Sequence, residues 1–109
     1  MNKFERELKN NNFLCSKCVK CDKLIWPPSD FCNNCFGEVI WRPVSRFAKI
    51  VEFSRKDEEF FCIAEFEEGI RVMGKVENVS GLQVGQSLLL IKCDYDGKEI
   101  FVFQPVSQA

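Results

Sequence analysis

A mainly β chain with one short N-terminal helix is what the sequence predicts, on three observations. Two C-x-x-C pairs, Cys18/Cys21 and Cys32/Cys35, stand ten residues apart. Five short apolar runs separated by turn residues follow them. Helical spacing with a capping pattern is confined to the first dozen residues. The pairs have the spacing of a metal-binding ribbon, and the five runs suit a small barrel. The chain divides accordingly into 1–12, 13–43 and 44–109.

Asn2 to Asn12 reads as the helix. Asn2 caps it, Glu5 holds the reciprocal capping-box position, and Phe4 and Leu8 share a face at i, i+4. The Asn10-Asn11-Asn12 cluster ends it. A helix this short does not stand alone, so its apolar face must dock on the same chain or on a partner.

Residues 13–43 read as a zinc ribbon. Two residues between sulfurs let both thiolates of a pair face one ion, and the ten residues 22–31 can bring the second pair round. Four thiolates in a tetrahedron suit Zn²⁺, with a mononuclear iron as the runner-up. Cys18, Cys21, Cys32 and Cys35 are the expected ligands. Cys15 offers an alternative first pair with Cys18. That register puts Val19 in the turn after the second sulfur, where its branched side chain resists positive φ; the chosen register puts Asp22 there, which tolerates it. Cys15 is then a free or supporting thiol. Phe36 follows Cys35, and the glycine of the second knuckle, Gly37, comes one place late.

Seven cysteines make an odd count, and MNKFERELKNNN contains no apolar signal-peptide core. A cytoplasmic metal site is therefore expected rather than a disulfide framework. Cys62 and Cys93 sit inside apolar runs and read as small packed hydrophobes. Between the knuckles Lys23–Trp26 reads as a strand cut off by Pro27-Pro28, and Val39–Trp41 as the answering strand, stopped by Pro43. These few apolar residues cannot offset the entropy of folding, whereas metal binding in small modules supplies about 10–16 kcal/mol. The zinc is expected to be structural, because four thiolates leave no open position for substrate.

Residues 44–109 read as five strands: Phe47–Ser54, Phe60–Phe66, Ile70–Val76, Leu88–Cys93 and Ile100–Phe103. Ile70, Val72 and Val76 alternate with Arg71, Met73 and Lys75. Turn chemistry lies at Glu67-Glu68-Gly69, Ser80-Gly81 and Asp94-Tyr95-Asp96-Gly97, and the longest link joins the third and fourth strands. That arrangement fits an OB-fold; an SH3-like barrel or a sandwich fragment is the alternative that periodicity leaves open. Several strands are apolar on both faces. Phe47, Val51 and Phe53 oppose Ala48 and Ile50, and Phe60, Cys62, Ala64 and Phe66 oppose Phe61 and Ile63. One barrel has one interior, so the surplus is covered by the ribbon and helix or exposed to a partner.

Composition narrows the function. Histidine is absent, which removes Cys/His and Ser/His catalytic pairs. The carboxylate clusters Asp57-Glu58-Glu59 and Glu65/Glu67-Glu68 read as solvated turn charges. Net charge is −1, so no global field attracts nucleic acid. Arg42, Arg46, Lys49, Arg55 and Lys56 form a basic run broken by acids, and nucleic-acid binding is the alternative function.

Phe13-Leu14-Cys15-Ser16-Lys17-Cys18-Val19-Lys20-Cys21, Trp26-Pro27-Pro28 and Cys32-x-x-Cys35 together resemble the rubredoxin-like zinc ribbon of the acyl-CoA-associated zinc-ribbon/OB-fold family, formerly a family of unknown function. Gly69-Ile70-Arg71-Val72, the Ser80–Gly85 turn and the Phe101–Pro105 ending are similar to the rest of its pattern. The resemblance implies a non-catalytic scaffold or accessory subunit rather than an enzyme. Its implied partners are acetoacetyl-CoA thiolase (acetyl-CoA acetyltransferase) and HMG-CoA synthase of the mevalonate pathway, or another thiolase-type enzyme. It further implies that the barrel holds the pantetheine arm of coenzyme A while ribbon and helix make protein contacts. Cys15 and Phe36 depart from the family pattern.

Overall fold

A computed structural model describes residues 1–106, so the last three positions of the expected barrel segment lie outside the described residues. Helix α1 spans Lys3–Lys9. The Glu5 N–H donates to Asn2 Oδ1 at 2.8 Å and the Asn2 N–H to Glu5 Oε1 at 3.0 Å, the reciprocal capping box expected. Phe4 and Leu8 are buried on its inner face. Asn11, at φ 63°, turns the chain out of the helix. Its Oδ1 accepts the Cys93 N–H at 2.9 Å, and its carbonyl accepts from Arg46, which pins the helix end to the barrel.

The ribbon is a three-stranded antiparallel sheet of β1 (Leu14–Cys18), β2 (Leu24–Ile25) and β3 (Val39–Pro43) in the order β2-β1-β3. The sequence led us to expect β2 to be answered by β3, but β1 lies between them: Ser16 pairs with Ile25 on one side and Trp41 on the other. With Cys15 and Cys18 among its five residues β1 has the look of a ligand loop, and alternation over five residues is too short to mark a strand. Ser16 is fully buried at this centre, and its hydroxyl accepts the Ser29 N–H at 3.2 Å.

The five remaining strands are β4 (Phe47–Lys56), β5 (Glu59–Glu65), β6 (Arg71–Val76), β7 (Ser87–Tyr95) and β8 (Glu99–Pro105). They close into a barrel in the order β4-β5-β6-β8-β7. All pairs are antiparallel except β6–β8, which is parallel and joined only at Lys75↔Val102 and Val76↔Phe103. This is the OB topology. Two bulges re-aim side chains. In β4 the register shifts between Ile50 and Glu52, so Phe53 pairs with buried Cys62 and shares the face of Ala48 and Ile50 rather than that of Phe47. In β7 the shift between Leu90 and Lys92 turns Cys93 inward after Leu88 and Leu90.

One hydrophobic core runs through all three segments. Ile50, Ala64, Leu88, Leu90 and Phe103 fill the barrel, and Phe4, Leu8, Phe13 and Cys15 close its end. Phe13 makes edge contacts with Phe66, Phe101 and Trp26 at centroid separations of 5.0, 5.3 and 5.8 Å. Helix and ribbon therefore cover part of the aromatic surplus. Phe47, Met73 and Ile40 remain 61%, 68% and 54% exposed.

The parallel seam depends on Gly74. A Cβ there would meet the Phe101 carbonyl oxygen at 2.5 Å and Phe103 Cε2 at 2.6 Å, and neither the backbone nor the packed ring can give way. Gly74→Ala is expected to cost about 2–3 kcal/mol through overpacking, measured as a lower urea midpoint at unchanged metal content.

Candidate metal centre

Two turns of matching geometry present the sulfurs. In the first, the Asp22 N–H donates to the Cys18 carbonyl at 3.1 Å and Asp22 takes φ 57°. In the second, the Phe36 N–H donates to the Cys32 carbonyl at 2.7 Å and Phe36 also takes φ 57°. Asp22 is a residue type that accepts the left-handed region; Phe36 is not, and holding it there costs on the order of 1 kcal/mol. Gly37 serves a different need from the one its lateness suggests. A Cβ on it would lie 3.1 Å from Cys35 Sγ, so glycine lets the backbone close on that sulfur.

The turns bring Cys18, Cys21, Cys32 and Cys35 together, all four Sγ atoms within 4.8 Å of one another and Cys18 to Cys35 at 3.5 Å. Metal–sulfur bonds of about 2.3 Å span a tetrahedron with edges near ~3.8 Å, so the donor set fits a four-thiolate ion. Backbone N–H groups of Cys21 and Asn34 donate to Cys18 Sγ at 3.2 Å and Cys32 Sγ at 3.4 Å. The Asn34 side chain reaches across to Cys21 Sγ at 3.7 Å and ties one knuckle to the other. Sequence reasoning missed Asn34; its place between the ligands of the second pair was the available signal.

The electrostatics calls for a cation. The Cys21 N–H, helped by the neighbouring sulfurs, lowers the Cys18 thiol to about 7. The Gly37 N–H favours the Cys35 thiolate, but Cys18, Cys21 and Cys32 crowd it and push it up to about 12. Four sulfurs this close do not all ionise unless a positive ion sits among them. Zinc and iron both answer that description, and in either case these four cysteines are positioned to hold the ion.

Cys15 lies apart from the cluster, fully buried in the barrel core, where burial raises its thiol pKa. Burial likewise pushes Cys62 up to about 11 and raises Cys93. All three pack as small hydrophobes. Around the knuckles the core is small: Cys18, Ile25 and Cys32, with Cys21 and Val39 against them.

Residues 7–40 match the family model of the ChsH2 rubredoxin-like zinc ribbon domain. The match spans the ribbon and the end of α1, about a third of the chain. No curated protein matches the chain. Among solved structures, one described as an Ltp2-ChsH2(DUF35) aldolase is similar at a TM-score of 0.76 and 16% identity, over 96% of each chain. A DUF35-family protein of unknown function from Sulfolobus solfataricus is similar at 0.62 and 19%, over 92% of this chain and 81% of that one. At these identities the likeness shows the fold: a ChsH2-type ribbon on an OB barrel. It also corrects an expectation. The resemblance implied a chain that is no enzyme and that serves a thiolase-type complex. The similar structure is instead described as an aldolase, so this architecture occurs as part of an enzyme of another reaction class.

No helix among the described residues is long and apolar enough to cross a membrane.

Proposed function

We propose that the chain is a zinc-bearing component of a multi-chain enzyme that makes or breaks carbon–carbon bonds in CoA thioesters. The observation that carries this reading is the extent of the likeness, 96% of both chains, to a structure described by two names and an aldolase activity. Within that class the partner is an aldolase or, as the resemblance implies, acetoacetyl-CoA thiolase with HMG-CoA synthase. Helix 1–12 docks, ribbon 13–43 is held rigid by zinc on Cys18, Cys21, Cys32 and Cys35, and barrel 44–109 faces the CoA ester. Exposed Phe47 and Ile40 give a partner apolar anchor points.

Nucleic-acid binding is the weaker reading, for an electrostatic reason. Arg42 is engaged by Glu67 at 2.8 Å and Glu68 at 2.6 Å, and Arg46 by Asn11 and the Leu90 carbonyl. Two of the five cations in the basic run are thus spent within the chain, and the net charge is −1.

Affinity capture of the tagged chain from its host in mild salt, with mass spectrometry and a nucleic-acid assay on the eluate, tests the proposal. Stoichiometric recovery of an enzyme acting on CoA thioesters is expected, and its identity separates aldolase from thiolase. Recovery of RNA or DNA with no such enzyme overturns the reading.

A further inference from the structure

The barrel is closed by a parallel seam of only two register pairs, at Lys75 and Val76. Away from those pairs, β6 and the start of β8 flank a groove of about 510 Å³. Its walls come from all three segments: Phe4 of the helix, Trp26 of the ribbon, and Met73, Ile100 and Phe101 of the barrel. Phe61 and Met73 also wall a smaller hollow of about 150 Å³ beside β4 and β5. A mostly apolar cleft at the junction of structural units, within the usual range of about 300–1,000 Å³, has the form of a small-molecule site.

The rim carries Lys75, Lys98 and Glu99. Lys75 is held by Glu59 at 2.9 Å. Lys98 makes no ion pair among the described residues, so one ammonium at this end is available to a ligand, with Glu99 beside it and Glu59 engaged by Lys75. Met73, 68% exposed at the meeting of the two hollows, is a flexible side chain that can fold over an irregular apolar ligand.

We propose that this groove binds an extended apolar chain ending in an anionic group, the chain lying between Trp26 and Met73 and the anion reaching Lys98. The site is complete within this one chain and does not depend on the assembly proposed above.

The chain's two tryptophans make the test direct, since Trp26 lines the groove and Trp41 does not. In the zinc-loaded Trp41→Phe protein, dodecanoate is titrated below its micellar concentration and Trp26 emission is followed. A saturable blue shift is expected. It should weaken about tenfold with Lys98→Glu, which turns the charge-assisted contact into a repulsion. Met73→Glu, at an exposed position that leaves the core intact, should weaken it comparably. Dodecyltrimethylammonium should give no saturable shift. Absence of a saturable shift with dodecanoate, a shift indifferent to Met73→Glu, or equal binding of the cationic amphiphile overturns the proposal.

Discussion

Cys32→Ser is expected to unfold the ribbon while leaving the barrel largely intact. The knuckle end has three buried core residues, Cys18, Ile25 and Cys32, and two of them belong to the cysteine cluster positioned to hold a metal. Burying Ile25 supplies only about 2–3 kcal/mol, far below the backbone entropy of ordering the roughly twenty residues of that end at about 1 kcal/mol or more each. Metal binding, about 10–16 kcal/mol in comparable modules, closes that gap, and serine does not replace a thiolate for a soft-ligand site. The variant should lose bound metal, expose Trp26 and Trp41 to quencher, and become sensitive to protease between residues 13 and 43. Cys15→Ser should keep its metal, because that thiol sits in the barrel core rather than in the cluster. A Cys32→Ser protein whose ribbon stayed protected would show that packing alone holds it.

Phe13→Ala should produce the largest loss among core substitutions, about 3–5 kcal/mol. Phe13 is 3% exposed and is the one ring that touches the ribbon through Trp26 and the barrel through Phe66 and Phe101. Its carbonyl also accepts the Val44 N–H at 2.9 Å, where the chain leaves the ribbon for the barrel. Truncation leaves a cavity bounded by three rings that belong to different elements and cannot collapse together. Thermal unfolding should fall by several degrees for each kcal/mol lost and split into separate ribbon and barrel transitions. A single transition within a degree or two of the parent would mean that the Arg42–Glu67/Glu68 and Arg46–Asn11 contacts couple the units instead.

The legible parts of this molecule are those written in local spacing. The capping box of Asn2 and Glu5, the two C-x-x-C knuckles, and the inward alternation of Ile70, Val72 and Val76 each fit within a few residues, and the structure places them as read. What escaped is set by distant partners. The bulge after Ile50 moves Phe53 to the other face of β4, and nothing in FAKIVEFS marks the extra residue, because the register is fixed by β5. β1 is a central strand only because β2 and β3 return to it from either side. The plugging of the barrel end by Phe13 and Cys15 joins positions near the start of the chain to Phe101, near its end. Asn34 acquires its role only when the second knuckle folds over the first.

Phe4 and Trp26 meet edge to face at 5.6 Å over the barrel end, so helix, ribbon and barrel present one continuous surface. Loss of metal should therefore disturb a partner that docks on helix or ribbon, and with it the Trp26 wall of the groove.

Metal analysis of the purified chain, alongside a count of reactive thiols before and after chelation, shows whether Cys18, Cys21, Cys32 and Cys35 hold one zinc ion. One zinc per chain, with four thiols released by the chelator and the same stoichiometry in Cys15→Ser, is the expected result. A red, iron-loaded protein would contradict zinc as the resident ion. Loss of metal in Cys15→Ser would contradict the assignment of Cys18, Cys21, Cys32 and Cys35 as the complete ligand set.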